Sequence, residues 1–382
     1  MFSLRPLSSA AVRRVALARD NCRCSKCVNQ MTRQRNFDTF GIPPTISSAE
    51  PPTSNKDGVI VKWTDGHESL YSWDLIQHYF QNNDRAHDAA IDIQPHHWGA
   101  ELAQRRPTVE HDEVMKKGDA GIAKLTEHIR KFGVAFVTNT PYDDPDKTRL
   151  LLERIGPIRV THYGGFYDFI PDMAMADTAY TNIALPGHTD TTYFTEPAGL
   201  QAFHLLSHQP APGAEPAEGG KSLLVDGFNA AQILKRDHPA DYDVLAETRI
   251  PWHASGNEGI TIAPNMQYPV LEAAGDMHKL FRVRWNNDDR GVVPFGQKHT
   301  VEEWYAAARK WNEILKSNES EFWFQLEPGT VVIFDNWRVL HGRSAFSGIR
   351  RICGGYINRD DFVSRYMNTN FGRELSLQKV IG

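Results

Sequence analysis

The 382-residue chain is 41% hydrophobic and 23% charged, the make-up of an ordinary folded protein with room for one large domain and a small satellite. A net charge of −5 argues against nucleic acid as the main partner, and no apolar run is long enough to span a membrane, so a soluble protein is expected. Three of the four cysteines fall within six residues, a poor disulfide framework but a plausible metal clip in a reducing compartment.

Residues 1–17 contain arginine and serine and no acid. That composition suits a mitochondrial presequence as well as an ordinary basic amino terminus, so the matrix and the cytoplasm are both open. Residues 18–85 are expected to form a small module. Cys22, Cys24 and Cys27 lie within reach of one ion, residues 59–63 read as a strand, and the following turn carries His67. Three thiols and an imidazole make a closed tetrahedral zinc set; the alternative is thiols packed as small apolar groups. Residues 86–112 are polar and read as a connector in which His96 and His97 are solvated. His111-Asp112-Glu113 reads as the acidic start of a helix.

The main domain is expected over 113–382. Residues 114–131 have helical spacing, with Ile122, Leu125, Ile129 and Phe132 on one side, followed by a buried strand at 133–137. Further strands are expected at 200–206, 221–225, 280–285, 330–334 and 351–357, and 209–220 must be a loop. A helix over 301–317 is signalled by the capping pair Thr300 and Glu303 and by the stripe Trp304, Ala308, Trp311 and Leu315. Many strands without regular alternation with helices favour an antiparallel barrel or jelly roll.

His188 and Asp190 are two apart, so on an extended segment both project from one face and offer two ligands of a facial Fe(II) triad. His341, at the end of an apolar strand, offers the third. Arg351, ten residues on, is expected beside it on the next strand, placed to hold a dicarboxylate.

At these residues the sequence resembles the Fe(II)/2-oxoglutarate dioxygenases, in particular the γ-butyrobetaine and trimethyllysine hydroxylases of carnitine biosynthesis. The blocks are RDNCRCSKC at 19–27, WTDGH at 63–67, DTAYTNIALPGHTDTTYF at 177–194, GLQAFHLL at 199–206, GGKSLLVDGFNAA at 219–231, FDNWRVLHGR at 334–343 and RRICGGYINRDD at 350–361. The resemblance implies a mainly β chain with helices: a double-stranded β-helix (jelly-roll) catalytic domain and a small N-terminal zinc-binding α+β domain. It implies Fe(II) on His188, Asp190 and His341, and 2-oxoglutarate with its far carboxylate on Arg351 and Ser222. Ascorbate as reductant and a homodimer are further implications.

Tyr163, Tyr167 and Tyr180 fall where the family's aromatic cage lies, as suits a quaternary ammonium that cannot donate hydrogen bonds. Asp177 stands where the butyrobetaine enzymes carry a neutral amide, and a carboxylate there could pair with the α-ammonium that only trimethyllysine has. Asn286 and Asn287 are candidates for the substrate's polar end. The implied reaction is hydroxylation of trimethyllysine at carbon 3. Butyrobetaine hydroxylation is the alternative, and a non-enzymatic methyl-lysine-binding module is the reading from another class. Ahead of the RDNC block the family carries about two strands' worth of sequence where this chain has 18 residues, so a shortened start or a presequence in their place is expected.

Overall fold

A computed structural model describes residues 18–76, 94–170, 181–213, 215–274 and 279–381. Residues 1–17 and 77–93, together with Asp177 and Tyr180, lie outside the described residues. The chain divides into two compact units, 1–92 with the stretch from Glu374, and 93–373.

In the first unit, β1 (Thr53–Ser54), β2 (Gly58–Lys62) and β3 (Glu68–Ser72) form a three-stranded antiparallel sheet. Val61, Trp63, Tyr71, Ile46 and Leu75 make a small core beside it. The β2–β3 turn carries His67, as expected from the sequence.

The second unit holds two larger sheets. The six-stranded sheet contains β4 (Thr108–Glu110), β5 (Val134–Thr138), β6 (Tyr167–Phe169), β8 (Leu200–Gln209), β13 (Val331–Asp335) and β15 (Ile349–Ile357), in the order β4-β5-β13-β8-β15-β6. The four-stranded sheet contains β7 (Leu185–His188), β9 (Ser222–Asp226), β12 (Phe322–Phe324) and β14 (Val339–Arg343), in the order β12-β9-β14-β7. From β8 onward the chain passes back and forth between the sheets, the winding of a jelly roll. Phe136, Leu205, Leu224, Phe322, Phe324, Val332 and Phe334 fill part of the interior. A hairpin of β10 (Leu271–Ala274) and β11 (Lys279–Val283) and three helices, α3 (Gly227–Asp237), α4 (Pro239–Glu247) and α5 (Val301–Leu315), share a second apolar cluster. The α5 capping box is present, and its predicted stripe is buried.

Two expectations are corrected. The polar stretch before residue 113 is no free connector: Trp98 is buried, its backbone N–H donates to Asp226, and β4 pairs in parallel with β5. The expected helix over 114–131 is broken. A short turn at His111–Met115 carries Asp112 and Glu113 as its first acids, and α1 (Ala120–Phe132) starts after the Lys116–Asp119 stretch, where Gly118 takes a positive φ. The two helices touch at Gly121, where a Cβ would fall 2.0 Å from the Glu113 carbonyl oxygen. Unforeseen were α2 (Pro145–Ile155), α3, α4 and α6 (Arg359–Asn370).

Candidate active site and metal centres

In the first unit the Cys22, Cys24 and Cys27 sulfurs lie 3.3, 3.6 and 3.5 Å from His67 Nε2. A tetrahedral ion with Zn–S near 2.3 Å and Zn–N near 2.0 Å separates sulfur from nitrogen by roughly 3.5 Å. The four donors therefore fit zinc without rearrangement. The Arg19 guanidinium donates to Cys27 Sγ at 3.4 Å and to Asp65 at 2.9 Å, a cation placed to offset the negative charge that thiolates on an ion would carry.

In the second unit His188 and His341 sit directly opposite each other on β7 and β14, with ring centroids 4.3 Å apart. Asp190 Oδ1 lies 3.3 Å from His188 Nε2 and 3.8 Å from His341 Nε2. The three donors face one another, and they form one of two clusters of metal-ligating side chains among the described residues. His188 Nδ1 lies 2.8 Å from the Pro186 carbonyl, to which it donates as the N–H, leaving Nε2 as the free lone pair. His341 Nδ1 is buried without a hydrogen-bond partner, against the rings of Phe203 and Phe334.

The segment after β7 is fixed from several sides. The Asn336 side chain accepts from Asp190 N at 2.8 Å and donates to Asp190 O at 2.9 Å. Thr191 adopts φ 57°, unusual for a β-branched residue, and its hydroxyl accepts from Ala198 N. Fully buried Arg284, paired with Glu272, donates to the carbonyls of Thr192 and Phe194.

Burial alone would raise the Asp190 pKa, but the two imidazoles, His341 foremost, and the Tyr356 hydroxyl hold its carboxyl below the usual range. Burial, and next the charge of His188, push His341 down to about 3. For His341 and Asp190 these directions give the neutral imidazole and ionised carboxylate that metal ligation needs, whereas His188, although burial pulls it down, is held above the usual imidazole value by the hydrogen bond and charge of Asp190.

These groups open onto a cavity of about 440 Å³. Tyr163, Tyr167, Ser222 and Asn286 line it. Asn287 does not: it accepts from Arg290 and lines a neighbouring cavity. The choice of arginine is also corrected. Arg351 faces out of the cavity, with its side chain 42% exposed and paired with Asp168. Arg350 faces in; it is 4% exposed, and its Nε is buried with no hydrogen-bond partner. Burial, then the charge of neighbouring Arg343, bring its pKa down to about 10. The physical reason is strand alternation: Arg350, Ile352 and Tyr356 share the inner face of β15. Sequence reasoning also missed Gln201, Tyr193, Phe169 and Tyr356 in the lining.

Comparison with known proteins places these features. Residues 90–356 match the family described as taurine catabolism dioxygenase TauD, TfdA, and residues 10–77 match the γ-butyrobetaine hydroxylase-like N-terminal family. A trimethyllysine dioxygenase of Neurospora crassa is 59% identical, covering 95% of this chain and 82% of its own. The enzymes named mitochondrial trimethyllysine dioxygenase in Bos taurus and Homo sapiens are each 36% identical over 94% of this chain and 82% of their own. A solved taurine dioxygenase from Burkholderia xenovorans aligns over 69% of this chain and 90% of its own at 14% identity, with a TM-score of 0.49. Among the described residues no helix is long and apolar enough to cross a membrane.

Proposed function

The chain belongs to the TauD, TfdA family and, within it, to the trimethyllysine dioxygenases, and from that premise we propose that it hydroxylates N6,N6,N6-trimethyllysine at carbon 3. The reaction consumes O2 and 2-oxoglutarate and yields succinate and CO2. The observation that carries this reading is a three-donor metal set facing a cavity in which the buried guanidinium of Arg350 has no ion-pair partner among the described residues and its Nε no hydrogen-bond partner among them. An uncompensated buried cation is costly, and a dicarboxylate co-substrate supplies the missing charge.

His188, Asp190 and His341 would hold Fe(II), which supplies oxygen activation when bound. Arg350 and Ser222 would seat the far carboxylate of 2-oxoglutarate. Tyr163 and Tyr167 in the cavity wall would receive the trimethylammonium, and the Tyr167 hydroxyl is anchored 2.7 Å from the Ala202 carbonyl, to which it donates. Asn286 stands at the cavity wall for the polar end, and Asp177 remains the candidate partner of the α-ammonium. Cys22, Cys24, Cys27 and His67 would bind a structural zinc in a separate N-terminal domain, and residues 93–373 would form a double-stranded β-helix domain. A mitochondrial location accords with the names of the mammalian relatives.

The test is succinate release in the presence of Fe(II) and ascorbate, with trimethyllysine or γ-butyrobetaine as substrate. Trimethyllysine should drive turnover at least about tenfold better, because a charged pairing to its α-ammonium is lost with butyrobetaine. Preference for butyrobetaine would reverse the substrate assignment.

A further inference from the structure

The two carboxylate oxygens of Asp190 have different partners. Oδ1 faces the imidazoles of His188 and His341. Oδ2 faces away from them and accepts two short hydrogen bonds, from Gln201 Nε2 and from the Tyr356 hydroxyl, both at 2.6 Å. Gln201 on β8 and Tyr356 on β15 are opposite each other in the sheet register, and both are buried. The amide orientation of Gln201 is determined by the contact itself. Turned over, it would set its oxygen against the carboxylate; as placed, Oε1 has no partner. The backbone of Asp190 is gripped on both sides by Asn336, which fixes the point from which its carboxylate projects.

A carboxylate beside a divalent ion can bind through one oxygen or two. Here Oδ2 would have to leave two charge-assisted hydrogen bonds in a buried setting to reach the ion. We propose that Gln201 and Tyr356 are positioning residues that clamp Oδ2 and confine Asp190 to one-oxygen metal ligation. A facial triad leaves three positions, and the clamp keeps all three: two for the keto oxygen and carboxylate of 2-oxoglutarate and one for O2. The proposal rests on the metal-site reading above.

Cobalt(II) loaded in place of iron, with the zinc site filled, tests it in the full chain. The variants are Tyr356→Phe, Gln201→Met and the pair; Met keeps the shape of Gln without the donor. Each single variant should weaken 2-oxoglutarate binding to the cobalt form about two- to fivefold, since one donor remains, and the pair about 10–100-fold. The cobalt absorption before co-substrate is added should change in the same order, as a second carboxylate oxygen displaces solvent from the ion. Cobalt affinity itself should not fall. A role confined to satisfying a buried carboxylate would lower the unfolding temperature and leave the spectrum alone, and that result overturns the clamp. If the pair does not fold, the single variants decide: two wild-type spectra with wild-type co-substrate affinity also overturn it. His341→Ala separates the two levels, because equal cobalt uptake by that variant refutes the metal site and not the clamp alone.

Discussion

The two clusters of ligating side chains draw on similar donors and end in opposite surroundings. In the first unit, three thiols and His67 close a tetrahedron with protein atoms on every corner. In the second, only three donors converge, the spare oxygen of the carboxylate is already taken by Gln201 and Tyr356, and the remaining side faces a cavity. The difference teaches that accessibility is set by how many donors the protein supplies and by which lone pairs it occupies itself. Four donors hold an ion as a staple; three with an open face leave positions for reactants.

The strongest way to break that contrast is to remove one donor from each cluster. His341→Ala should lose bound iron and reduce turnover by more than about 100-fold, the upper end of what outer-shell changes cause, with zinc content unchanged. Cys24→Ser should lose zinc. A structural zinc contributes on the order of 10 kcal/mol of folding free energy, so amide protection in β1, β2 and β3 should collapse in hydrogen exchange. Zinc loss in the first variant, or unchanged exchange in the second, would dissolve the distinction between staple and reactive site.

A smaller effect sharpens the cavity side. Arg350→Met should raise the KM for 2-oxoglutarate about 10–100-fold, the worth of one charge-assisted hydrogen bond in a buried site. Arg351→Met removes a half-exposed pair with Asp168 and should change it less than about threefold. The reverse ranking would restore the arginine chosen from sequence.

That choice shows where sequence reading ran out. His188, Asp190 and His341 were legible because two-residue spacing, an apolar strand ending in His and the family resemblance of the blocks at 177–194 and 334–343 point to the same three side chains. Helix α5 was legible because Thr300 and Glu303 sit at capping distance. Between adjacent arginines, only the facing of β15 decides, and that strand is buried on both faces from Ile352 on, so no alternation of apolar and polar residues reveals it. Gln201 was equally hidden: one polar residue among several on β8 gives no hint that its partner is Asp190, which lies in the loop beyond β7. The break in the helix before α1 was missed because apolar spacing across 114–131 continues through Gly118.

Burial of a histidine by itself does not mark a metal site, and His204 makes the point. It is fully buried on β8, and burial, then the charge of His111, push it down to about 4, much as burial pushes down His341. Its neighbours differ. Nε2 accepts from Gly329 N at 3.2 Å, so Nδ1 carries the proton and donates to Thr148 Oγ1 at 2.7 Å. Both nitrogens are occupied by the protein, and no carboxylate stands in its hydrogen-bonding set. The folded state thus holds His204 neutral, whereas the unfolded chain takes up a proton near pH 6.5. Its contribution is whole above about pH 6.5 and drains away as pH falls toward 4. Between pH 7 and 5 that is roughly 2 kcal/mol, read as the excess stability lost by the wild type over His204→Gln, which stays neutral throughout. Equal losses in denaturant unfolding would mean that the acid sensitivity lies elsewhere. A flatter profile for the variant with unchanged iron content would show that a neutral buried imidazole becomes a ligand only where the protein leaves one of its nitrogens unclaimed.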